Sequence, residues 1–288
     1  MTDLSTLNDQ QRNAVLESID KNVVLLAGAG SGKSHTLVKR TQYLIDDLGV
    51  KPENIMLVTF TNKAATEITE RIAKVSEHAY KMWIGTFHRI CTRLIRMFGS
   101  KLGIQNFTIM DTKEAKELIK DILEDRGVET TPYFINDIIS KISSYKNNLR
   151  KPASVLADAD EKRIYADVYQ DYQNICWKRK SFDFDDLIIY TILLLSTYPE
   201  VSTWVHENIK YLMIDECQDT NSAQFALIKL IAGNNNIMCV GDSNQSIYAF
   251  RNAKPQYLEN FANTHPNTIK LKLRKSIRSV FFICGIVS

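Results

Sequence analysis

The fold of this chain is decided by the stretch Val23-Val24-Leu25-Leu26-Ala27-Gly28-Ala29-Gly30-Ser31-Gly32-Lys33-Ser34. Its apolar start predicts a buried strand, and the residues that follow Ser34 have the pattern of a helix. A glycine-rich loop between a strand and a helix is typical of a phosphate-binding loop. Its glycines let backbone N–H groups turn towards a polyphosphate, and the helix N-terminus adds partial positive charge. A glycine-rich turn that binds no nucleotide is the weaker alternative.

The loop also predicts which residues surround the phosphates. The Lys33 amine would reach the terminal phosphates, and the Ser34 hydroxyl would bind Mg²⁺. Ala27 stands at a position that the strict pattern gives to glycine. The predicted phosphate cradle consists of Ala27, Gly28, Ala29, Gly30, Ser31, Gly32, Lys33 and Ser34.

Composition places the chain among ordinary globular proteins. It has 288 residues, of which 44% are hydrophobic and 24% charged, so it has room for two compact units or for one unit with an insertion. The net charge of +3 is too small to indicate nucleic-acid binding by itself, and any such surface must therefore be local. We expect no membrane span and no signal peptide, because the sequence has neither pattern.

The cysteines indicate the compartment. They are scattered and form no C-x-x-C pair, which is typical of reduced thiols and not of a zinc site. We therefore expect a cytoplasmic protein without a zinc centre. The five cysteines are Cys91, Cys176, Cys217, Cys239 and Cys284.

Apolar runs alternate with helical patterns in the first third of the chain, which predicts an α/β fold with a mostly parallel sheet flanked by helices. From residue 111 to about 180 only helical patterns occur, with Pro132 and Pro152 as breaks. Strand patterns then return, so the helical block is an insertion. The predicted strands are 23–26, 55–58, 82–85, 107–110, 211–214, 237–240 and 269–271. The predicted domain parts are 1–110, the all-helical insertion 111–180, and 181–288.

Two acidic residues, Asp215 and Glu216, follow one of these buried strands directly. Open α/β sheets bind ligands at the carboxyl ends of their strands. Asp215 is suited to contact Mg²⁺, and Glu216 is suited to activate an attacking water. An acidic pair after a strand is by itself usually exposed to solvent and without a function. The phosphate loop in the same chain favours the functional interpretation here.

Further stretches occur in the order of a known set of motifs. Residue Gln11 follows Leu7 and Asn8, and the other stretches are TFTNKAA at 59–65, GTFH at 85–88, FDFDDL at 182–187, DECQDTN at 215–221, GDSNQSIYAFR at 241–251 and LRKSIRS at 273–279. Together they resemble the motifs of the UvrD/Rep/PcrA group of superfamily 1 DNA helicases. The resemblance implies ATP and Mg²⁺ as cofactors, a RecA-like domain 1A, and a 1B subdomain formed by the helical insertion.

The resemblance also implies roles for single residues in the nucleotide site. Gln11 would read the adenine edge, Gln245 would sense the γ-phosphate, and Arg251 would link the nucleotide and DNA sites. Arg278 would neutralise charge in the transition state. The implied catalytic residues are Lys33, Asp215, Glu216, Gln245 and Arg278.

A second implied site binds single-stranded DNA or a junction of single- and double-stranded DNA. Aromatic residues would stack on bases while polar neighbours contact the backbone. Burial in the core is the alternative for these aromatics, and for Phe87 the sequence favours neither reading. The implied DNA-binding residues are Phe60, Thr61, Asn62, Thr86, Phe87, His88, Tyr248 and Phe250.

The aspartates Asp183, Asp185 and Asp186 have a competing interpretation as a metal-dependent nuclease site. Acidic residues at the start of an apolar helix are more simply explained by the helix dipole, and we favour that reading.

The sequence contains no counterpart of the second RecA-like domain, 2A, with which the family completes its ATP site. We therefore expect an N-terminal 1A/1B portion of an ATP-dependent 3′ to 5′ DNA helicase, with little ATP hydrolysis by itself and the 2A/2B region as its partner in the full-length protein. A nucleotide-gated module that binds single-stranded DNA without motor activity, or a helicase–nuclease subunit, is the alternative.

Two residues of the implied nucleotide pocket depart from the family pattern. His35 stands where the family commonly has Arg, and Ile277 stands where it has the Tyr that stacks on adenine. Loss of this stack should weaken base selectivity, while the residues that hold phosphate remain. We predict weak discrimination between ATP and other nucleoside triphosphates in competition binding. A strong preference for adenine would contradict this prediction.

Overall fold

The computed structural model of the protein describes residues 1–242, 261, 265 and 267–274. The chain divides into two compact units. The first contains residues 1–90, 202–220 and 228–288, and the second contains residues 91–201 and 221–227.

A six-stranded sheet forms the centre of the first unit. Its strands are β1 (Asn22–Ala27), β2 (Ile55–Thr59), β3 (Trp83–Thr86), β6 (Tyr211–Ile214), β7 (Asn236–Gly241) and β8 (Thr268–Leu273). Their order is β3-β2-β6-β7-β1-β8, and every pairing described within the sheet is parallel. This confirms the predicted α/β fold with a mostly parallel sheet.

Helices flank this sheet, and their local sequences explain where they begin. The helix α1 (Asp9–Leu16) starts with a capping box in which Asn8 and Gln11 bond each other's backbone N–H groups. The Thr61 side chain caps α3 (Asn62–Ala73), and the phosphate loop leads directly into α2 (Lys33–Asp46). Apolar side chains of the strands and these helices form one buried core.

The sheet brings the ends of distant segments together. Because all its strands are parallel, the loops after β1, β6 and β7 leave from the same edge. The strand β7 lies between β1 and β6, so its carboxyl end lies between the end of the strand before the phosphate loop and the end of the strand before Asp215 and Glu216.

The second unit is mainly helical. Its two short strands, β4 (Thr108–Ile109) and β5 (Ser181–Phe182), pair with each other in a separate parallel sheet. The strand predicted at 107–110 therefore does not join the main sheet. The helices are α5 (Thr112–Asp125), α6 (Pro132–Asn147), α7 (Pro152–Leu156), α8 (Arg163–Arg179) and α9 (Phe184–Thr197), and residues of α4 (Phe87–Phe98), α10 (Pro199–Asn208) and α11 (Ser222–Ala232) are divided between the two units.

No helix in the described part of the chain has the length and apolar character that a membrane span requires. The four described cysteines, Cys91, Cys176, Cys217 and Cys239, are free and buried. Cys284 lies outside the described residues.

A buried ion cluster ties α6 to α9 within the second unit. The Lys146 ammonium is 1% exposed and lies 2.7 Å from both Asp183 Oδ2 and Asp186 Oδ1. Burial alone would lower the pKa of Lys146, but attraction to the two carboxylates outweighs burial and raises it. Asp183 caps α9 in a capping box with Asp186, which supports the helix-start interpretation of these aspartates.

Removing the lysine should leave two buried carboxylates without their counter-charge. We predict that Lys146→Met lowers the free energy of unfolding by about 3–5 kcal/mol, measured by urea denaturation. The matched control is Lys113→Met, whose lysine is exposed and lies 3.9 Å from Glu117. This control should change stability by less than about 0.5 kcal/mol. Equal unfolding midpoints in the two variants would contradict a structural role for the Lys146 cluster.

Candidate nucleotide site at the edge of the sheet

The loop between β1 and α2 has the conformation that its glycines allow. Gly30 and Gly32 have φ angles of +71° and +87°, a region that other residues rarely adopt. The backbone N–H and the hydroxyl of Ser31 both donate to the Gly28 carbonyl, at 3.2 and 2.7 Å. Gly32 is the N-cap of α2, so the free N–H groups of the helix N-terminus lie directly behind the turn. This is the geometry of a phosphate cradle.

Gln11 anchors this loop. Its side chain is buried, and its Nε2 donates to the Ser31 carbonyl at 2.9 Å. Its Oε1 accepts a hydrogen bond from the Asn8 N–H at 3.0 Å. Gln11 therefore joins the start of α1 to the phosphate loop, while the adenine contact implied for it stays a prediction.

Lys33 and Glu216 meet across the site. The Lys33 Nζ lies 2.7 Å from Glu216 Oε2, and the two side chains are 12% and 38% exposed. Lys33 is the first residue of α2, whereas Glu216 directly follows Asp215 at the end of β6. Glu216 has a φ of +51°, which is unusual for a residue with a side chain and marks a strained backbone at the site.

Two further carboxylates lie beside this pair. Asp215 is 4% exposed, and burial together with the neighbouring Glu216 raises its pKa to about 6, while Lys33 opposes the shift. Burial and Glu216 likewise raise the pKa of Asp219 to about 6. Among the described residues, the buried Asp219 Oδ1 has no hydrogen-bond partner. The site thus concentrates more negative charge than Lys33 alone offsets.

The donor atoms at this edge fit a magnesium ion. Asp215 supplies carboxylate oxygen, and Ser34 supplies a hydroxyl from the first turn of α2. Both are the hard oxygen ligands that Mg²⁺ prefers, and Mg²⁺ is usually bound by one or two carboxylates together with substrate phosphates. Within the described residues, no group of three or more His, Cys, Asp or Glu is arranged to hold a metal by itself.

The residues implied for DNA binding lie at the ends of β2 and β3. Thr61 and Asn62 are exposed, and Phe60 is half-buried. Phe87 is only 3% exposed and packs edge-on against Phe60, with ring centroids 5.8 Å apart. Its burial favours the core alternative for Phe87, whose ring packs against Phe60 instead of facing solvent. Thr86 is buried and His88 is half-buried.

Comparison with known protein sequences identifies the family of this chain. The sequence matches the UvrD/REP helicase N-terminal domain over residues 7–266. The chain belongs to this helicase family. It is 38% identical over 281 residues to the ATP-dependent DNA helicase PcrA of Staphylococcus aureus and 37% identical over 281 residues to that of Staphylococcus epidermidis. In each case the match covers 96% of the chain and 38% of the relative's length.

One departure from the UvrD/REP pattern lies in the described part of the site. His35 is half-buried in α2, and its Nε2 is 3.3 Å from Thr6 Oγ1. Burial lowers the pKa of His35, and the positive charges of Lys39 and Arg71 lower it further. The imidazole is therefore held towards its neutral form, unlike the permanently charged Arg that the family commonly has here.

Several implied site residues lie outside the described residues: Gln245, Tyr248, Phe250, Arg251, Ile277 and Arg278. Conversely, the structure brings to the site three residues for which the sequence predicted no individual role: Gln218, Asp219 and Asp242. Gln218 and Asp219 stand two and three positions after Glu216, in the one-turn helix 217–219 that follows β6. Their short distance in sequence from Glu216 is the signal that points to them.

The raised pKa of Asp215 links stability to pH. Its folded-state pKa lies above the unfolded value, so this group makes stability fall as pH rises from about 4 to about 6. We predict that the Asp215→Asn variant is more stable than the original chain at pH 7.5. Its free energy of unfolding, measured by urea denaturation, should be higher by on the order of 2 kcal/mol, and this gain should vanish near pH 4. The exposed control Asp121→Asn should leave stability within about 0.5 kcal/mol.

The same Asp215→Asn variant should also bind Mg²⁺ more weakly, since it lacks the carboxylate that fits the ion. If the stability difference between the variant and the original chain is the same at pH 7.5 and at pH 4, the burial cost assigned to Asp215 is contradicted.

Proposed function

We propose that the chain is the ATP- and single-stranded-DNA-binding 1A/1B portion of an ATP-dependent 3′ to 5′ DNA helicase. One observation carries the proposal: in a chain of the UvrD/REP family, the phosphate-loop lysine Lys33 reaches the acidic residue Glu216 at the carboxyl edge of the sheet. In the full-length protein, ATP hydrolysis would drive movement along single-stranded DNA. The proposed parts of domain 1A are 1–110 and 181–288, with 1B at 111–180.

The nucleotide phosphates would lie on the N–H groups of the loop 28–32 and the start of α2. Lys33 would then exchange the Glu216 carboxylate for phosphate oxygens, because a polyphosphate offers more negative charge than one carboxylate. This exchange leaves Glu216 able to accept a proton from the attacking water. Asp215 and Ser34 would hold Mg²⁺, which supplies charge neutralisation on the phosphate oxygens when bound.

Single-stranded DNA would cross the ends of β2 and β3. The exposed Thr61 and Asn62 are suited to contact its backbone, and the half-buried Phe60 ring is suited to stack on a base. These contacts leave from the same sheet edge as the nucleotide site, so one rigid sheet would connect both ligands.

The matched relatives extend well beyond this chain, which spans 38% of their length. A motor of this class needs two domains that close on ATP. A module that binds nucleotide and DNA without moving is therefore the alternative function of the chain taken alone, and DNA-stimulated ATP hydrolysis distinguishes it from a portion of a motor.

The test is the variant Lys33→Ala. We predict that it lowers MgATP affinity at least tenfold, measured by equilibrium titration of a fluorescent ATP analogue, because the charge that meets the phosphates is lost. Its ATP hydrolysis in the presence of single-stranded DNA should fall to background. The control Lys113→Ala removes an exposed lysine of the second unit and should change neither quantity. Unchanged ATP affinity in Lys33→Ala would overturn the assignment of the loop.

A further inference from the structure

The buried side chain of Gln218 connects Glu216 to the neighbouring strand end. Gln218 is 2% exposed, and its Nε2 donates to Glu216 Oε2 at 2.8 Å. The same nitrogen lies 3.4 Å from Asp219 Oδ2. Its Oε1 accepts a hydrogen bond from the backbone N–H of Asp242 at 3.0 Å, directly after β7. One amide group thus spans the ends of β6 and β7.

The orientation of this amide is fixed by its surroundings. A reversed amide would place its oxygen against two carboxylates and its NH₂ group against the N–H of Asp242, so both ends would lose their hydrogen bonds. The backbone of Gln218 is also fixed, because it lies in a one-turn helix closed by bonds from Asp219 N to Glu216 O and from Thr220 N to Cys217 O. Gln218 therefore presents its NH₂ group to Glu216 in a fixed orientation.

Asp242 extends this chain of contacts towards the phosphate loop. A Cβ added to Gly28 would lie 3.8 Å from Asp242 Oδ2, so the carboxylate of Asp242 faces the phosphate loop. Since β7 lies between β6 and β1, the contacts from Glu216 through Gln218 to Asp242 lead from the end of β6 towards the phosphate loop that follows β1.

Glu216 needs such a support. Its side chain is 38% exposed, and its Oε2 receives hydrogen bonds from Lys33 and from Gln218. If Lys33 turns to the phosphates, Gln218 is the donor that stays on this oxygen among the described residues. We propose that Gln218 is a positioning residue that holds the Glu216 carboxylate in place for water activation and fixes it relative to Asp242. This inference rests on the proposed ATP hydrolysis at this site.

Two variants of similar volume separate the donor from the acceptor function of Gln218. Gln218→Met removes both, whereas Gln218→Glu keeps the acceptor for the Asp242 N–H but replaces the donor by a carboxylate beside Glu216. Hydrolysis is measured under single-turnover conditions, with protein in excess over ATP and single-stranded DNA present. Both variants should hydrolyse ATP about 10–100-fold more slowly, since a misplaced base forfeits part of general-base catalysis. Their MgATP affinity should stay within about threefold, because the described hydrogen bonds of the Gln218 side chain go to Glu216, Asp219 and Asp242 and not to the phosphate loop.

The matched control is Gln173→Met, which removes a hydrogen bond of the same kind from Gln173 Nε2 to Asp186 Oδ1 in the second unit, at 2.9 Å. It should leave the hydrolysis rate unchanged. In a Glu216→Gln background, Gln218→Met should change the residual rate by less than about twofold, since the group on which it acts is already lost.

The outcomes are distinguishable. Wild-type hydrolysis rates in both Gln218 variants would overturn the positioning role and leave the proposed function intact. A parallel fall of rate and MgATP affinity in both variants would also overturn it, because that pattern belongs to a merely structural residue. If the unaltered chain binds no MgATP, the proposed function itself fails.

Discussion

The ion pair between Lys33 and Glu216 joins two segments that are 183 residues apart in sequence. No local interaction could bring these side chains to 2.7 Å, and the distance follows from the parallel sheet that places β1, β7 and β6 side by side with the same direction. The phosphate loop supplies the cation at the end of one strand, and β6 supplies the anion at the end of another. The edge of the sheet is therefore the element on which the candidate chemistry depends.

Buried carboxylates and an unfavourable backbone conformation at this edge of the sheet lower the stability of the fold. Asp215 and Asp219 are charged groups whose pKa is raised by burial, and Glu216 has a backbone conformation that residues with side chains avoid. Such features persist only where the surrounding structure enforces them. Here the buried strand β6 holds the backbone before Asp215, and Gln218 donates to the carboxylates of Glu216 and Asp219 on either side of it. Part of this cost in stability therefore lies where ligands are expected.

The sequence was sufficient for the parts of this arrangement that depend on local pattern. The apolar runs of β1, β2 and β6 identify buried strands because a parallel sheet is covered on both faces. The run at 107–110 has the same composition, but only two of its residues pair, and they pair with β5 instead of the main sheet. Pairing partners are a tertiary property. For the same reason the burial of Phe87 against Phe60, and the reach of Gln218 to Asp242, have no signature in the local sequence.

A comparison of the Lys146 cluster with the Lys33–Glu216 pair shows how burial distinguishes a structural ion pair from a functional one. Lys146 is 1% exposed and is shared between two carboxylates, so its charge has no alternative partner and the cluster acts as a fixed support for α9. Among the described residues Lys33 pairs with a single carboxylate, and its partner Glu216 is 38% exposed. Water can solvate the Glu216 carboxylate when Lys33 leaves it, so separating this pair costs less than separating a fully buried one. Lys33 can therefore exchange Glu216 for a more highly charged ligand, which is what a phosphate-loop lysine must do.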